Sequence, residues 1–187
     1  MSFKYSYWYV NNFYNKKEIN QITKFIENNF DYKNDPETSA KDLKGKSKKN
    51  ANTLVIGYNK MKHLTKDLES EICSINQNNF GYILYPFNNS TEALFNIYDS
   101  KQKANYGWHI DSSESDLRDF KLTALLNLSS SHEGGELHFF EGNEYIAEEF
   151  KPGTLLLFKS HINHKVTPIT KGVRKTLTLF CVGPKFR

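Results

Sequence analysis

Apolar residues recur at two different periods along this chain, and the change falls near Phe80. Ahead of it, Ile19, Ile22, Ile26 and Phe30 keep the spacing of one helix face behind a cap-like Asn15-Lys16-Lys17-Glu18. Met61, Leu64, Leu68, Ile72 and Ile75 form a second stripe of the same kind, and both stripes read as core faces. The aromatic-rich stretch from Ser2 to Val10 predicts an edge strand. After Phe80 short runs predict strands at Tyr82–Tyr85, Ala93–Tyr98, Tyr106–Asp111, Lys121–Leu128 and Glu136–Phe140. Further runs follow at Tyr145–Phe150, Thr154–Phe158, His164–Pro168 and Arg174–Val182. Short strands broken by Gly, Pro and Asn predict a mainly β fold: a double-stranded β-helix (jelly-roll, cupin-like) barrel with supporting N-terminal α-helices on one sheet. Residues 1–187 are then a single domain, with 1–79 as helical support and candidate lid and 80–187 as the jelly-roll core.

Two polar stretches interrupt this pattern. Asp31 to Asn50 carries Lys41, Lys44, Lys46, Lys48 and Lys49, and reads first as a solvated loop and second as a lid. Ser112 to Asp119 reads equally as a surface excursion or as a substrate contact. A length of 187 residues suits one sizeable core, and no apolar run is long enough to span a membrane. The N-terminus lacks a signal-peptide core, and Cys73 and Cys181 are too few for a disulfide framework, which predicts a cytoplasmic protein with two free buried thiols. The net charge of +4 does not call for nucleic acid, because lysines are dispersed among 21 acidic residues. Oligomeric state is not legible.

Candidate chemistry lies in the second half. In His109-Ile110-Asp111 the outer two residues would share one face of a strand, with Trp108 and Ile110 turned away. A lone His-x-Asp is weak evidence, since any surface loop produces one. It gains weight from a later histidine in His164-Lys165-Val166-Thr167-Pro168 and from Arg174, ten positions past His164. Two histidines and one carboxylate can hold a metal on one face and leave the opposite positions open, as in non-haem Fe(II) oxygenases. The chain has 22 Lys and only 3 Arg, so Arg174 suggests a need for bidentate geometry toward a small carboxylate. Arg174, Thr176 and Thr178 would share one strand face, and Leu177 and Leu179 the other.

Tyr106-Gly107-Trp108-His109-Ile110-Asp111, Gly134-Gly135-Glu136-Leu137 and the run from His164 to Arg174 resemble the Fe(II)/2-oxoglutarate-dependent oxygenases. The likeness is greatest to the prolyl 4-hydroxylase-like group and its bacterial PKHD-type branch. It spans about Phe95 to Cys181, and Lys49-Asn50 is similar to the branch's N-terminal part. The resemblance implies that His109, Asp111 and His164 bind Fe(II), and that Arg174 pairs with the distal carboxylate of 2-oxoglutarate. It implies that Tyr98 assists that carboxylate and that Thr123 lies near the co-substrate. It also places His164, rather than His161, as the distal ligand, with His161 in the preceding turn. His132 reads as a solvated loop residue, His138 as an ordinary strand residue and His63 as a helix residue without a partner.

The implied activity is hydroxylation of a C–H bond by O2, coupled to decarboxylation of 2-oxoglutarate to succinate, with L-ascorbate as an auxiliary reductant. The implied substrate is a protein or peptide side chain such as proline. The alternatives are a small metabolite, lipid or nucleobase, or a binding module with a silent metal site. Three departures matter. Arg174 stands where animal and algal prolyl hydroxylases carry Lys, which favours the PKHD-type branch over strict prolyl specificity. Asp111 fills a ligand position that related halogenases leave empty. Phe180 stands where nucleic-acid dealkylating relatives carry a second Arg, which argues against that substrate class. The segment from Tyr98 to His109 is one residue longer than is usual in the family.

Overall fold

The computed structural model describes residues 5–30, 43–65, 67–113, 115–147 and 150–186. The first half of the chain forms β1 (Tyr7–Val10), α1 (Lys16–Asn29), β2 (Lys49–Asn50), β3 (Asn52–Gly57) and α2 (Leu68–Ile75). The second half begins with β4 (Glu92–Asp99), β5 (Asn105–His109), β6 (Arg118–Asn127), β7 (His132–Gly134) and β8 (Leu137–Phe140). It ends with β9 (Glu144–Ile146), β10 (Leu155–Lys159), β11 (Asn163–Val166) and the long β12 (Ile169–Pro184).

These strands make two antiparallel sheets. The larger runs β1-β10-β6-β12-β4-β3, with β7 paired to the first residues of β12, and the smaller runs β2-β5-β11-β8-β9. Side-chain alternation decides what each face does. On β12, Leu177, Leu179 and Cys181 join one apolar cluster with Ile19, Ile22 and Ile26 of α1 and with Leu68, Ile72 and Ile75 of α2. The helices therefore cover the outer face of the larger sheet. A second cluster joins Leu125, Leu156 and Phe158 of the larger sheet to Leu137, Phe139 and Val166 of the smaller, so the two sheets pack face to face.

The first helix follows the predicted stripe. Asn15 caps it by accepting from Lys17 N and Glu18 N, and the Glu18 side chain returns to Asn15 N. Lys175 of β12 pairs with Glu27 at 2.6 Å and ties the helix to the sheet.

Several predicted elements differ. Tyr82–Tyr85 forms no regular strand and contributes one ladder-like bond, Tyr85 N to Val182 O. The stretch read as helical support supplies the expected edge strand β1 and, beyond the expectation, the two-residue β2 and the strand β3, which follow a lysine-rich polar stretch. The second helix begins at Leu68 rather than Met61. Met61 lies in a turn, fully buried against the same core, so burial and not helical period explains its place in the stripe. β5 ends at His109, so Asp111 lies just past the strand. Cys181 is buried, but Cys73 is exposed, because it lies off the buried face of α2. Of the candidate lid, residues 31–42 fall outside the described residues, and the remainder is a turn leading into β2. Among the described residues no helix is long and apolar enough to cross a membrane.

Candidate metal centre

Antiparallel pairing places His164 of β11 directly opposite His109 of β5. Their rings lie 4.1 Å apart between centroids. Asp111 enters from just past β5, with Oδ1 3.6 Å from His109 Nε2 and Oδ2 3.6 Å from His164 Nε2. One ligand atom from each of the three lies within 4.8 Å of the others, and among the described residues this is the group of its kind. His109 and His164 are 6% and 4% exposed.

Local bonds aim these atoms. His109 Nδ1 is 2.8 Å from Gly107 O, and His164 Nδ1 is 2.9 Å from Ile162 O. A carbonyl can only accept, so each Nδ1 carries a proton, and the Nε2 atom is the one each ring can offer as a ligand. Asp111 is held by two groups of the larger sheet and its turn: Thr123 donates to Oδ2 at 2.6 Å, and Asp111 N donates to Ser160 O at 2.9 Å. Thr123 Oγ1 and Ser160 Oγ are 3.0 Å apart. Burial alone would raise the Asp111 pKa, but His164, then His109, and the Thr123 hydroxyl together hold it below the ordinary carboxylate value. Burial lowers His164 to about 4 against the opposing pull of Asp111. The cluster thus turns two imidazole Nε2 atoms and one carboxylate toward one point, a donor set that fits a divalent metal.

The same cavity holds a buried cation. It contains about 520 Å³ of empty space, partly open to solvent, and its walls include the triad, Tyr98, Thr123 and Arg174. Arg174 pairs with Tyr98 across β12 and β4 and is 1% exposed. Its guanidinium lies 5.2 Å over the Tyr98 ring and 5.4 Å over the Phe150 ring. Among the described residues its Nε and Nη2 have no acceptor. Burial pushes the Arg174 pKa down, and burial raises the Tyr98 hydroxyl to about 12, with Arg174 opposing. A buried guanidinium with two unmet donors is costly, and a carboxylate in the cavity would meet both. Gly135 makes room for it. At φ +69° a Cβ there would lie 2.9 Å from Arg174 Cδ and 2.1 Å from Ile169 Cδ1.

The other histidines lie elsewhere. His161 is exposed in the turn before β11, its ring 5.7 Å from that of Phe186. His138 on β8 sits between Glu144 at 2.5 Å and Glu136 at 3.3 Å. His132 is not a solvated loop residue: it is half-buried on β7, with Nδ1 3.0 Å from Gly134 O. His63 lies in a turn, edge-on to Phe25 at 5.1 Å, rather than on a helix without a partner. Three residues at the site carried no sequence signal of their own, Ser160 and the carbonyls of Gly107 and Ile162. The one recurrent trace is that each supporting carbonyl lies two residues before its histidine.

A family model described as 2OG-Fe(II) oxygenase superfamily matches residues 93–182. This stretch is similar to that superfamily. It carries β4 to β12 and every residue of the triad. A PKHD-type hydroxylase of Synechococcus sp. (strain CC9605) is 38% identical over 82 residues, covering 42% of this chain and 35% of that relative. The match therefore spans about a third of the length of such curated relatives. A Pseudomonas putida prolyl-4-hydroxylase superposes with a TM-score of 0.67 at 20% identity, over 95% of this chain and 92% of that one. A Trichoplax adhaerens prolyl hydroxylase, in complex with a hypoxia inducible factor oxygen degradation domain peptide fragment, gives 0.69 at 20% identity, over 95% and 84%. The fold of this chain is similar to that of these two prolyl hydroxylases.

Proposed function

We propose that this chain is an Fe(II)- and 2-oxoglutarate-dependent dioxygenase that hydroxylates a C–H bond of a protein or peptide side chain. The observation that carries the reading is the pairing, in one cavity, of the triad with a buried guanidinium whose Nε and Nη2 lack acceptors among the described residues. His109, Asp111 and His164 would hold the metal. Arg174 would take the distal carboxylate of 2-oxoglutarate, with Tyr98 beside it. When bound, Fe(II) and 2-oxoglutarate supply oxidation of a C–H bond by O2, coupled to decarboxylation to succinate.

The chain's own residues bind, aim and exclude water. Gly107 and Ile162 fix the two imidazoles, and Thr123 and Ser160 fix the carboxylate. Phe158, Leu125, Leu137 and Val166 give the cavity apolar wall, which strengthens charge pairing within it. The PKHD-type relatives and the peptide-bound Trichoplax enzyme support a peptide substrate for this chain.

The test is a titration of the full chain with Mn(II) and 2-oxoglutarate, followed by Fe(II) and O2 with a peptide panel. Expected are tight 2-oxoglutarate binding that requires both metal and Arg174, succinate release, and a product heavier by one oxygen that His109→Ala abolishes. Metal-independent 2-oxoglutarate binding, or binding unaffected by Arg174→Met, would refute the proposal.

A further inference from the structure

Lys49 lies outside residues 93–182, yet it lines the cavity of the triad. It stands on β2, at the edge of the smaller sheet, and its ammonium crosses to the larger one. There it donates to Thr53 Oγ1 at 2.6 Å and to Asn96 Oδ1 at 2.5 Å. Asn96 in turn donates to Thr178 Oγ1 at 3.0 Å. An ammonium carries three N–H donors. Among the described residues these two acceptors are the ones Lys49 finds.

Its place along the cavity separates it from Arg174. The inward residues of β12 run from the buried Arg174, Thr176 and Thr178 to the half-buried Phe180, so the cavity opens toward Phe180. Arg174 holds the closed end beside Tyr98. Lys49, joined through Asn96 to Thr178, belongs to the open half. Its surroundings register both groups: burial lowers its pKa to about 8, Asp111 opposes that fall and Arg174 adds to it.

Charge decides what Lys49 is for. With Fe(II) on the triad and 2-oxoglutarate against Arg174, the cation charges of metal and guanidinium are cancelled by Asp111 and the two carboxylates of the co-substrate. Lys49 remains as a half-buried cation, 5.5 Å from the centre of the Tyr106 ring and without an anion of its own among the described residues. Such a charge is costly unless it is paired, and an anionic group entering from the open end would pair it.

On the basis of the proposed function, we infer that Lys49 is a specificity-determining residue that binds a carboxylate of the primary substrate, next to the C–H bond to be oxidised. A free amino acid and a peptide C-terminus share that chemistry.

The test uses the full chain with Mn(II) and saturating 2-oxoglutarate. The probes are the L-amino acids and their N-acetylglycyl derivatives, each beside its primary amide, with binding read by calorimetry and by water-proton relaxation at the metal. At least one acid is expected to bind, with its amide weaker by about tenfold or more. Lys49→Met should weaken the acid by about tenfold or more and leave the amide unchanged, while Lys49→Arg restores the preference. Preference for the bare amino acid marks a metabolite, and preference for the acylated form a peptide end. A purely structural tie would instead weaken acid, amide and 2-oxoglutarate together and lower the melting temperature. That result would overturn the inference. So would equal binding of acid and amide, a preference that survives Lys49→Met, or no binding of any acid. If the wild type fails to bind 2-oxoglutarate at all, the proposed function falls; if it binds and only the Lys49 arms fail, this inference alone falls.

Discussion

Thr123 shows how much of the candidate metal site depends on residues outside the triad. Its hydroxyl donates to Asp111 Oδ2 at 2.6 Å and meets Ser160 Oγ at 3.0 Å, so it fixes the carboxylate in the one orientation that faces both imidazoles. Thr123→Val keeps the shape and removes the donor. Metal affinity should then fall by roughly 10- to 100-fold with little change in melting temperature, as measured by Mn(II) titration. His164 gives a second expectation, for the metal-free chain. In the unfolded chain it takes up its proton near the ordinary histidine value, and in the folded chain only near pH 4. Between those values only the unfolded state holds the proton, so each step down in pH favours unfolding. Stability should therefore decline as pH falls from about 6.5 toward 4, by up to roughly 3 kcal/mol, and denaturant titrations of His164→Leu should lose that slope. The ligand types were legible in the sequence because His-x-Asp and a distant histidine have few reasons to recur with a scarce arginine. Ser160 was not, because a serine in a turn looks like a solvated residue, and Lys49, though part of the resemblance, gave no sign that its ammonium reaches the cavity until the sheets bring it inward.

At the scale of elements, the Gly134-Gly135 turn between β7 and β8 controls how deeply Arg174 sits. Both glycines have positive φ, and a Cβ on Gly135 would collide with the Arg174 stem and with Ile169. Gly135→Ala should lower stability by about 1 kcal/mol or more and weaken 2-oxoglutarate binding, while Mn(II) affinity without 2-oxoglutarate stays near that of the wild type. Equal losses of metal and co-substrate would show that the turn supports the whole sheet instead. β12 was readable because its two faces differ in polarity, as Arg174, Thr176 and Thr178 against Leu177 and Leu179 show, and β6 because it is a long apolar run buried on both faces. β2 and β7 were not, since two or three residues carry no period, and the six-residue β3 follows a lysine-rich stretch that reads as loop. Met61 was counted into a helix for a related reason: a buried turn residue can fall in phase with a helical stripe by burial alone.

At the scale of the whole molecule, the candidate site spans the two sheets. His109 and His164 come from the smaller sheet, whereas Thr123, which orients Asp111, and Arg174 come from the larger. A metal on the triad with a co-substrate reaching Arg174 would therefore cross-link β5 and β11 to β6 and β12 through the middle of the core. A ligand that binds only the folded chain stabilises it by an amount set by its concentration over its dissociation constant, about 2.7 kcal/mol at a hundredfold excess. Metal alone should raise the melting temperature modestly, since Asp111 is its sole link to the larger sheet. Metal and 2-oxoglutarate together should raise it by more than the sum of their separate effects, because only the pair engages Arg174. In Arg174→Met that surplus should vanish while the effect of metal alone persists. Thermal scans of four conditions, bare, metal, 2-oxoglutarate and both, in wild type and variant decide the matter, and strictly additive shifts in the wild type would show that metal and Arg174 do not share one ligand.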